Sequence, residues 1–236
     1  MKILAIDTST NFFSVGILDG EKIYEYRLYT GVKLSENITH ILSQILTSLN
    51  WEWEDLDYLA ANLGPGSFTG IRIGLSFIKG IAFSLDKPVI GLCGLDVLAK
   101  AAADKERNIQ IVPVMDARRG MVYAAIYQNH KVFKRSSNYM LVTPEELCLK
   151  IKGPSLFVGD GLSLYQKQFQ ASVHKSFFLD KDWWGIKPRY LVQVAQEKLQ
   201  CKQFTDSFGI KPIYLYPKEC QIRKPSAVSY QPSAKN

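Results

Sequence analysis

The twelve residues LGPGSFTGIRIG, Leu63–Gly74, gather four glycines and a proline where an apolar run ends and a helical pattern begins. Glycine-rich turns that open a helix are ready-made anion cradles. The phosphate fingerprints nevertheless fail here. A P-loop requires G-x-x-x-x-G-K-[ST], with its lysine on the phosphates, and Gly64 to Arg72 contains no lysine. For a dinucleotide G-x-G-x-x-G turn the interval from Gly66 to Gly70 is one residue too long. Gly66-Ser67-Phe68-Thr69-Gly70 is not a G-x-S-x-G nucleophile elbow either. The stretch reads instead as a structural device: Gly64-Pro65-Gly66 turns sharply off a strand, and Ser67 caps the helix that follows.

Asp7-Thr8-Ser9-Thr10, the polar turn after the first apolar run, is the other candidate for ligand chemistry. Its bland alternative is that Asp7 hydrogen-bonds the glycine turn. Metal chemistry is not encoded: His40, His130 and His174 stand alone, with no H-x-x-x-H or H-E-x-x-H pair. Cys93, Cys148, Cys201 and Cys220 are scattered without a C-x-x-C pair, as expected of reduced thiols in a cytoplasmic protein. No apolar run approaches the ~20 residues of a membrane span. The short N-terminal run, interrupted by Asp7, is not a signal peptide.

The elements that must hold these turns follow from periodicity. Lys2–Thr8, Phe13–Asp19 and Lys22–Tyr29 read as a three-stranded meander, with Asp19-Gly20 as a hairpin turn. A helix is expected over Ser35–Asn50, with Ile38, Ile41, Leu42, Ile45 and Leu49 on one face. Leu56–Leu63 is a strand, Phe68–Leu85 a second helix, Lys87–Leu92 a strand and Leu95–Ala103 a helix. The Phe68–Leu85 helix carries two apolar stripes, one through Phe68, Ile71, Leu75, Ile78, Ala82 and Leu85, the other through Gly70, Ile73, Gly74, Phe77 and Ile81. A helix apolar on both sides is buried on both: one side meets its own sheet, the other a partner or the Ser35–Asn50 helix. Gly70 and Gly74, one turn apart, are expected to let another backbone approach.

The pattern restarts after Ala103–Asn108. Ile109–Arg118, Met121–Gln128 and Lys131–Ser137 form a second meander. A helix with a Thr143 cap and Pro144 follows, then a strand and turn at Ser155–Gly161, a helix over Pro188–Cys201 and an extended piece at Lys211–Pro217. The expected fold is therefore a duplicated α/β unit, divided into residues 1–102 and 103–221, with a disordered tail over 222–236. Charge divides the same way. Residues 1–102 carry 8 Lys/Arg and 11 Asp/Glu, and residues 103–236 carry 21 and 11, within a chain of net charge +7. A basic half suits an anionic partner such as RNA, or is simply a solvated surface.

ILAIDTST, LGPGSFTGIRIG, KPVIGLCGLDVLA, VMDARRGMVYAAIY and VGDG occur in the order and at the spacing of the bacterial TsaB (YeaZ) family, which this chain resembles over roughly Met1–Tyr127. The resemblance implies an actin/Hsp70/sugar-kinase-like (ASKHA) fold of duplicated subdomains, each a mixed sheet flanked by helices, M22-peptidase-like without peptidase activity. In that superfold a D-x-G-x-[ST] hairpin holds nucleotide phosphates, which marks Asp7, Thr8, Ser9 and Thr10 as cofactor candidates. Ser9 stands at the glycine position and narrows the approach. The resemblance further implies a non-catalytic subunit that forms a heterodimer with TsaD in making N6-threonylcarbamoyladenosine at position 37 of tRNAs reading ANN codons. TsaE joins them, and a homodimer is the alternative pairing. It implies no cofactor on this chain alone, with ATP, Mg²⁺ and metal on the partners. Leu34, Met121 and Tyr216 depart from the family pattern, standing for a histidine, a glutamate and an arginine.

The expected pairing surface is therefore the N-terminal helices: Leu42, Ile45 and Leu49 from one, and Gly70, Ile71, Arg72, Gly74, Phe77, Ile78 and Ile81 from the other. Gly64, Pro65, Gly66 and Ser67 shape the turn. On this reading Gly74→Trp abolishes pairing and leaves the chain folded. The rivals are a small-molecule kinase or ATPase of the same superfold, opposed by Ser9, and a metallopeptidase or TsaD-like transferase, opposed by the unpaired histidines.

Overall fold

The computed structural model describes residues 1–29 and 34–216. The expected disordered tail over 222–236 lies outside the described residues. The first half opens with β1 (Lys2–Asp7), β2 (Phe12–Asp19) and β3 (Lys22–Tyr29), the anticipated meander. Then come α1 (Leu34–Ser48), β4 (Tyr58–Asn62), α2 (Phe68–Ser84), β5 (Val89–Leu92) and α3 (Gly94–Ala103). The five strands lie in the order β3-β2-β1-β4-β5, with β1, β4 and β5 parallel.

The second half repeats the plan. β6 (Ile109–Asp116) takes the place of β1, and β11 (Ser155–Val158) and β12 (Ser176–Phe178) run parallel beside it as β4 and β5 do. α4 (Pro144–Lys150), α5 (Leu162–Ser172) and α6 (Pro188–Gln200) correspond to α1, α2 and α3. The fold class is therefore the duplicated α/β architecture expected. The expected strand over Met121–Gln128 is broken in two. β7 (Val122–Ala124) pairs the C-terminal end of β6, while β8 (Tyr127–Asn129) pairs its N-terminal end, and the chain jogs at Ala125-Ile126. Beyond the jog, β9 (Phe133–Arg135) pairs β8 and β10 (Met140–Val142) pairs β7, so this edge of the sheet forks. Periodicity gave no sign of α5, whose exposed face mixes Leu164 with glutamines, nor of the three-residue β10 and β12.

The two halves do not stand apart. α3 packs on β6 and β11 of the second sheet, and α6 packs on β1, β2 and β3 of the first. Each half thus lends its third helix to the other, and one hydrophobic core runs through Ile3, Ala60, Leu92, Leu98, Ile111, Val158 and Leu191. Asp96 of α3 pins this exchange by accepting the hydroxyls of Tyr127 and Tyr139 from the second half, each at 2.6 Å. Past α6 the chain returns to the first half, where Thr205 bridges Val89 and the Ile213 amide donates to the Leu63 carbonyl. A second core lies outside the first sheet, under α1 and α2, and a third lies outside the second sheet, under α4 and α5. No helix among the described residues is long and apolar enough to cross a membrane.

Candidate functional site

β1 and β4 run side by side and end in the two turns that the sequence singles out. Asn62, the last residue of β4, joins them. Its Nδ2 donates to Asp7 Oδ1 at 2.8 Å and to Ser9 Oγ at 3.1 Å, while its Oδ1 accepts the Gly64 amide at 3.1 Å. The Ser9 amide also donates to Asp7 Oδ1, and the Ser67 amide donates to the Ser9 carbonyl. A cis peptide links Gly64 to Pro65, and Gly64 and Gly66 have φ of 108° and 152°, in the region that favours glycine. A Cβ on Gly66 would stand 2.7 Å from the Ser9 Cβ. Ser67 caps α2 as anticipated, its hydroxyl accepting the Gly70 amide at 3.2 Å.

This arrangement bears on the nucleotide candidates. The Thr8 hydroxyl donates to the Gly70 carbonyl, the Thr10 hydroxyl accepts the Phe12 amide, and Asp7 and Ser9 are held by Asn62. These bonds engage the Thr8 and Thr10 hydroxyls, Asp7 Oδ1 and Ser9 Oγ within the chain, and the Ser9 side chain lies against Gly66. Ser9, at the glycine position of a phosphate hairpin, leaves less room for a phosphate than glycine would. Asp7 is buried, its Oδ2 lacks a hydrogen-bond partner, and desolvation pushes its carboxyl above the usual range despite the bonds from Ser9 and Asn62. The expectation that Asp7 touches the glycine turn directly is refined: Asn62 carries that link.

The equivalent corner of the second sheet is built from Asp116, at the end of β6, and from the turn after β11. Asp160 Oδ1 accepts the Asp116 amide, and Asp116 accepts the Arg118 amide and pairs with its guanidinium at 3.2 Å. Tyr216 donates its hydroxyl to the Ala117 carbonyl at 2.6 Å and so ties the segment after α6 to this corner. Between the two corners lies a cleft of ≈ 600 Å³, lined by Ser9, Thr10, Arg27, Asp116, Arg118, Asp160, Lys181 and Trp184 among others. No three histidine, cysteine or acidic side chains among the described residues gather to hold a metal ion. All three histidines are exposed.

The helix residues divide sharply. Leu42, Ile45, Ile71 and Ile78 are buried in the chain's own outer core, with exposures of 0%, 7%, 1% and 0%. Gly70 and Gly74 also face inward: a Cβ on Gly70 would overlap the Thr8 carbonyl, and one on Gly74 would overlap the Thr8 hydroxyl. The close approach that these glycines allow is therefore to β1's turn in the same chain, not to another molecule. This corrects the expectation for Gly74→Trp, which would strike the fold itself. Arg72 is exposed and claimed by its own chain, its Nε donating to the Tyr214 hydroxyl at 3.1 Å and its guanidinium lying 3.8 Å over the Phe68 ring. Leu49, Phe77 and Ile81 are half-buried, and with Ile41 and Ile73 they pack against that core at the edge of the α1–α2 layer, Phe77 with its ring 5.8 Å from that of Trp53. Phe83, 67% exposed, extends that surface.

Two residues of this region escaped sequence reasoning. Asn62 carried a signal, as a lone amide closing the apolar run LDYLAAN. Gly80 did not stand out beside Gly70 and Gly74, yet no described residue lies within 4 Å of the Cβ it would carry. It is exposed on the outer side of α2, one turn from the exposed Ser76 and Ser84.

Known proteins are similar to this chain in sequence and in fold. The family model described as "TsaD: tRNA N6-adenosine threonylcarbamoyltransferase" matches residues 30–209. The tRNA threonylcarbamoyladenosine biosynthesis protein TsaB of Bacillus subtilis is 30% identical over 229 residues, covering 94% of this chain and 97% of that protein. The Escherichia coli protein of the same name is 31% identical over 166 residues, 68% of this chain and 72% of its own. The structure of YeaZ from Pseudomonas aeruginosa superposes with a TM-score of 0.80 at 23% identity, over 91% of this chain and 99% of that one, which establishes the shared fold. The chain belongs to the TsaB family, within the wider group that the threonylcarbamoyltransferase model describes.

Proposed function

We propose that this chain is a non-catalytic subunit of the cytoplasmic machinery that forms N6-threonylcarbamoyladenosine at position 37 of ANN-decoding tRNAs. It pairs with a TsaD transferase through the outside of α1 and α2, TsaE joins the pair, and in isolation the same face supports a homodimer. The observation that carries this is the outer α1–α2 surface. There Ile41, Leu49, Ile73, Phe77 and Ile81 pack on the chain's own core and stay half-buried. A solvated helix would carry polar residues at such positions. The non-catalytic reading is supported by the glycine and Asp7 turns, where the Thr8 hydroxyl, Asp7 Oδ1 and the Asn62 amide bond one another and the backbone. ATP, Mg²⁺ and the metal then belong to TsaD and TsaE, and the basic second half is the side offered to tRNA.

The test is nucleoside analysis of tRNA from cells depleted of this protein. Threonylcarbamoyladenosine falls on depletion and returns with the wild-type chain. Unchanged levels on depletion would remove the reading.

A further inference from the structure

The fork in the second sheet opens a groove of ≈ 650 Å³ on the side away from the interlobe cleft. Gln110, Gln128, Ser136, Ser137 and Asn138 line it beside the apolar strand β10, and Lys150 and Lys152, at and just past the end of α4, close it. Its floor is a polar row. Ser155 pairs Gln110, Gln110 pairs Gln128, and Gln128 pairs Lys134, so these four side chains share one face of β11, β6, β8 and β9. On that face the next β6 residues, Val112 and Val114, belong to the core under α4 and α5, so the row is where a hydrophobic face turns polar. The Lys152 amide donates to Gln110 Oε1, which fixes this end of the groove to the row, and Ser137 Oγ accepts the Ile126 amide at the fork.

The lining contains no carboxylate, and neither Lys134, Lys150 nor Lys152 forms an ion pair among the described residues. The interlobe cleft differs, since its arginines and lysine share the wall with Asp116 and Asp160. Lys150 and Lys152 on the lining, with Lys134 at the far end of the polar row, and the amide and hydroxyl side chains between them suit the phosphates and sugar hydroxyls of a nucleic-acid strand. They offer no flat aromatic platform for reading a base. We propose that this groove is where the chain holds the sugar–phosphate backbone of RNA, positioning the strand without reading its sequence. The inference rests on the function proposed above, which makes the RNA a tRNA.

The experiment measures binding of an unmodified tRNA transcript to the full-length chain by fluorescence anisotropy over a salt series. A Lys134→Glu/Lys150→Glu/Lys152→Glu variant is compared with Lys22→Glu/Lys202→Glu/Lys211→Glu, which changes the net charge equally at exposed sites outside the groove. The groove variant is expected to lose roughly tenfold or more in affinity and about three units of salt slope, one per phosphate contact removed. The control is expected to stay close to wild type, and both variants are expected to retain TsaD pairing and the wild-type melting temperature. Equal losses in the two variants, or a wild-type chain that pairs with TsaD and does not bind tRNA, would overturn the groove while leaving the pairing reading intact. A chain that binds tRNA through the groove and ignores TsaD would overturn the pairing reading instead.

Discussion

The two faces of α2 use the same small residue for opposite ends. On the inner face Gly70 and Gly74 let the helix sit directly on Thr8, and the Thr8 hydroxyl donates to the Gly70 carbonyl at 2.7 Å. On the outer face Gly80 meets no described residue. A helical glycine costs about 1 kcal/mol relative to alanine, which the inner pair offset by close packing within the chain. Gly80 finds no such return among the described residues. The difference teaches that a glycine stripe in a sequence names a thin surface and does not say what approaches it.

The largest expected effect falls on the inner face. Gly74→Trp is expected to destabilise by about 3 kcal/mol or more, since the Thr8 side chain and its backbone cannot withdraw from β1. Loss of the cooperative thermal transition would show it, and a normal melt would put Gly74 on the wrong side of the helix. Next comes the amide that couples the two turns. Asn62→Ala removes three hydrogen bonds from a buried position and leaves Asp7 and the Gly64 amide short of partners, at a cost of about 2 kcal/mol by denaturant titration.

The outer face predicts a small gain instead. Gly80→Ala is expected to raise stability by roughly 0.5–1 kcal/mol, because the helix interior prefers alanine and no neighbour objects. A destabilised Gly80→Ala chain would show an intramolecular role for this glycine.

Asp7 supplies a pH-dependent comparison of the same corner. Its folded-state carboxyl titrates above its unfolded value of about 4. Between those two values the folded chain holds more proton than the unfolded one, so this group's contribution is complete below pH about 4 and is lost as pH rises through the raised value. Asp7→Asn removes that titration and can still accept from Ser9. The melting temperature of the variant relative to wild type is therefore expected to climb from pH 4 to pH 7, and a flat difference would show that Asp7 is not strained by burial.

Much of this was legible in the residues. The meander, the glycine turn, the Ser67 cap and the restart after Ala103 follow from period, turn chemistry and capping, which act locally. The reciprocal exchange of α3 and α6 was not legible, because an apolar helix face does not state which sheet it meets. The break at Ala125-Ile126 was hidden by the continuous apolar run MVYAAIY, where strand type is clear and a jog leaves no trace. Burial decided the rest. Leu42, Ile71 and Ile78 share spacing with Leu49, Phe77 and Ile81, and only the packed layer shows which three are interior. The sign of the Gly74 prediction turned on one contact with Thr8, 66 residues earlier in the chain.

The central claim is that the outer α1–α2 surface, crossed at Gly80, is the pairing face. Its most direct test is co-elution of the purified Gly80→Trp chain with separately purified TsaD on a sizing column, beside wild type and Gly80→Ala. The account predicts that wild type pairs, that Gly80→Ala pairs or weakens slightly, and that Gly80→Trp melts like wild type and elutes alone. A folded Gly80→Trp chain that still travels with TsaD would contradict it.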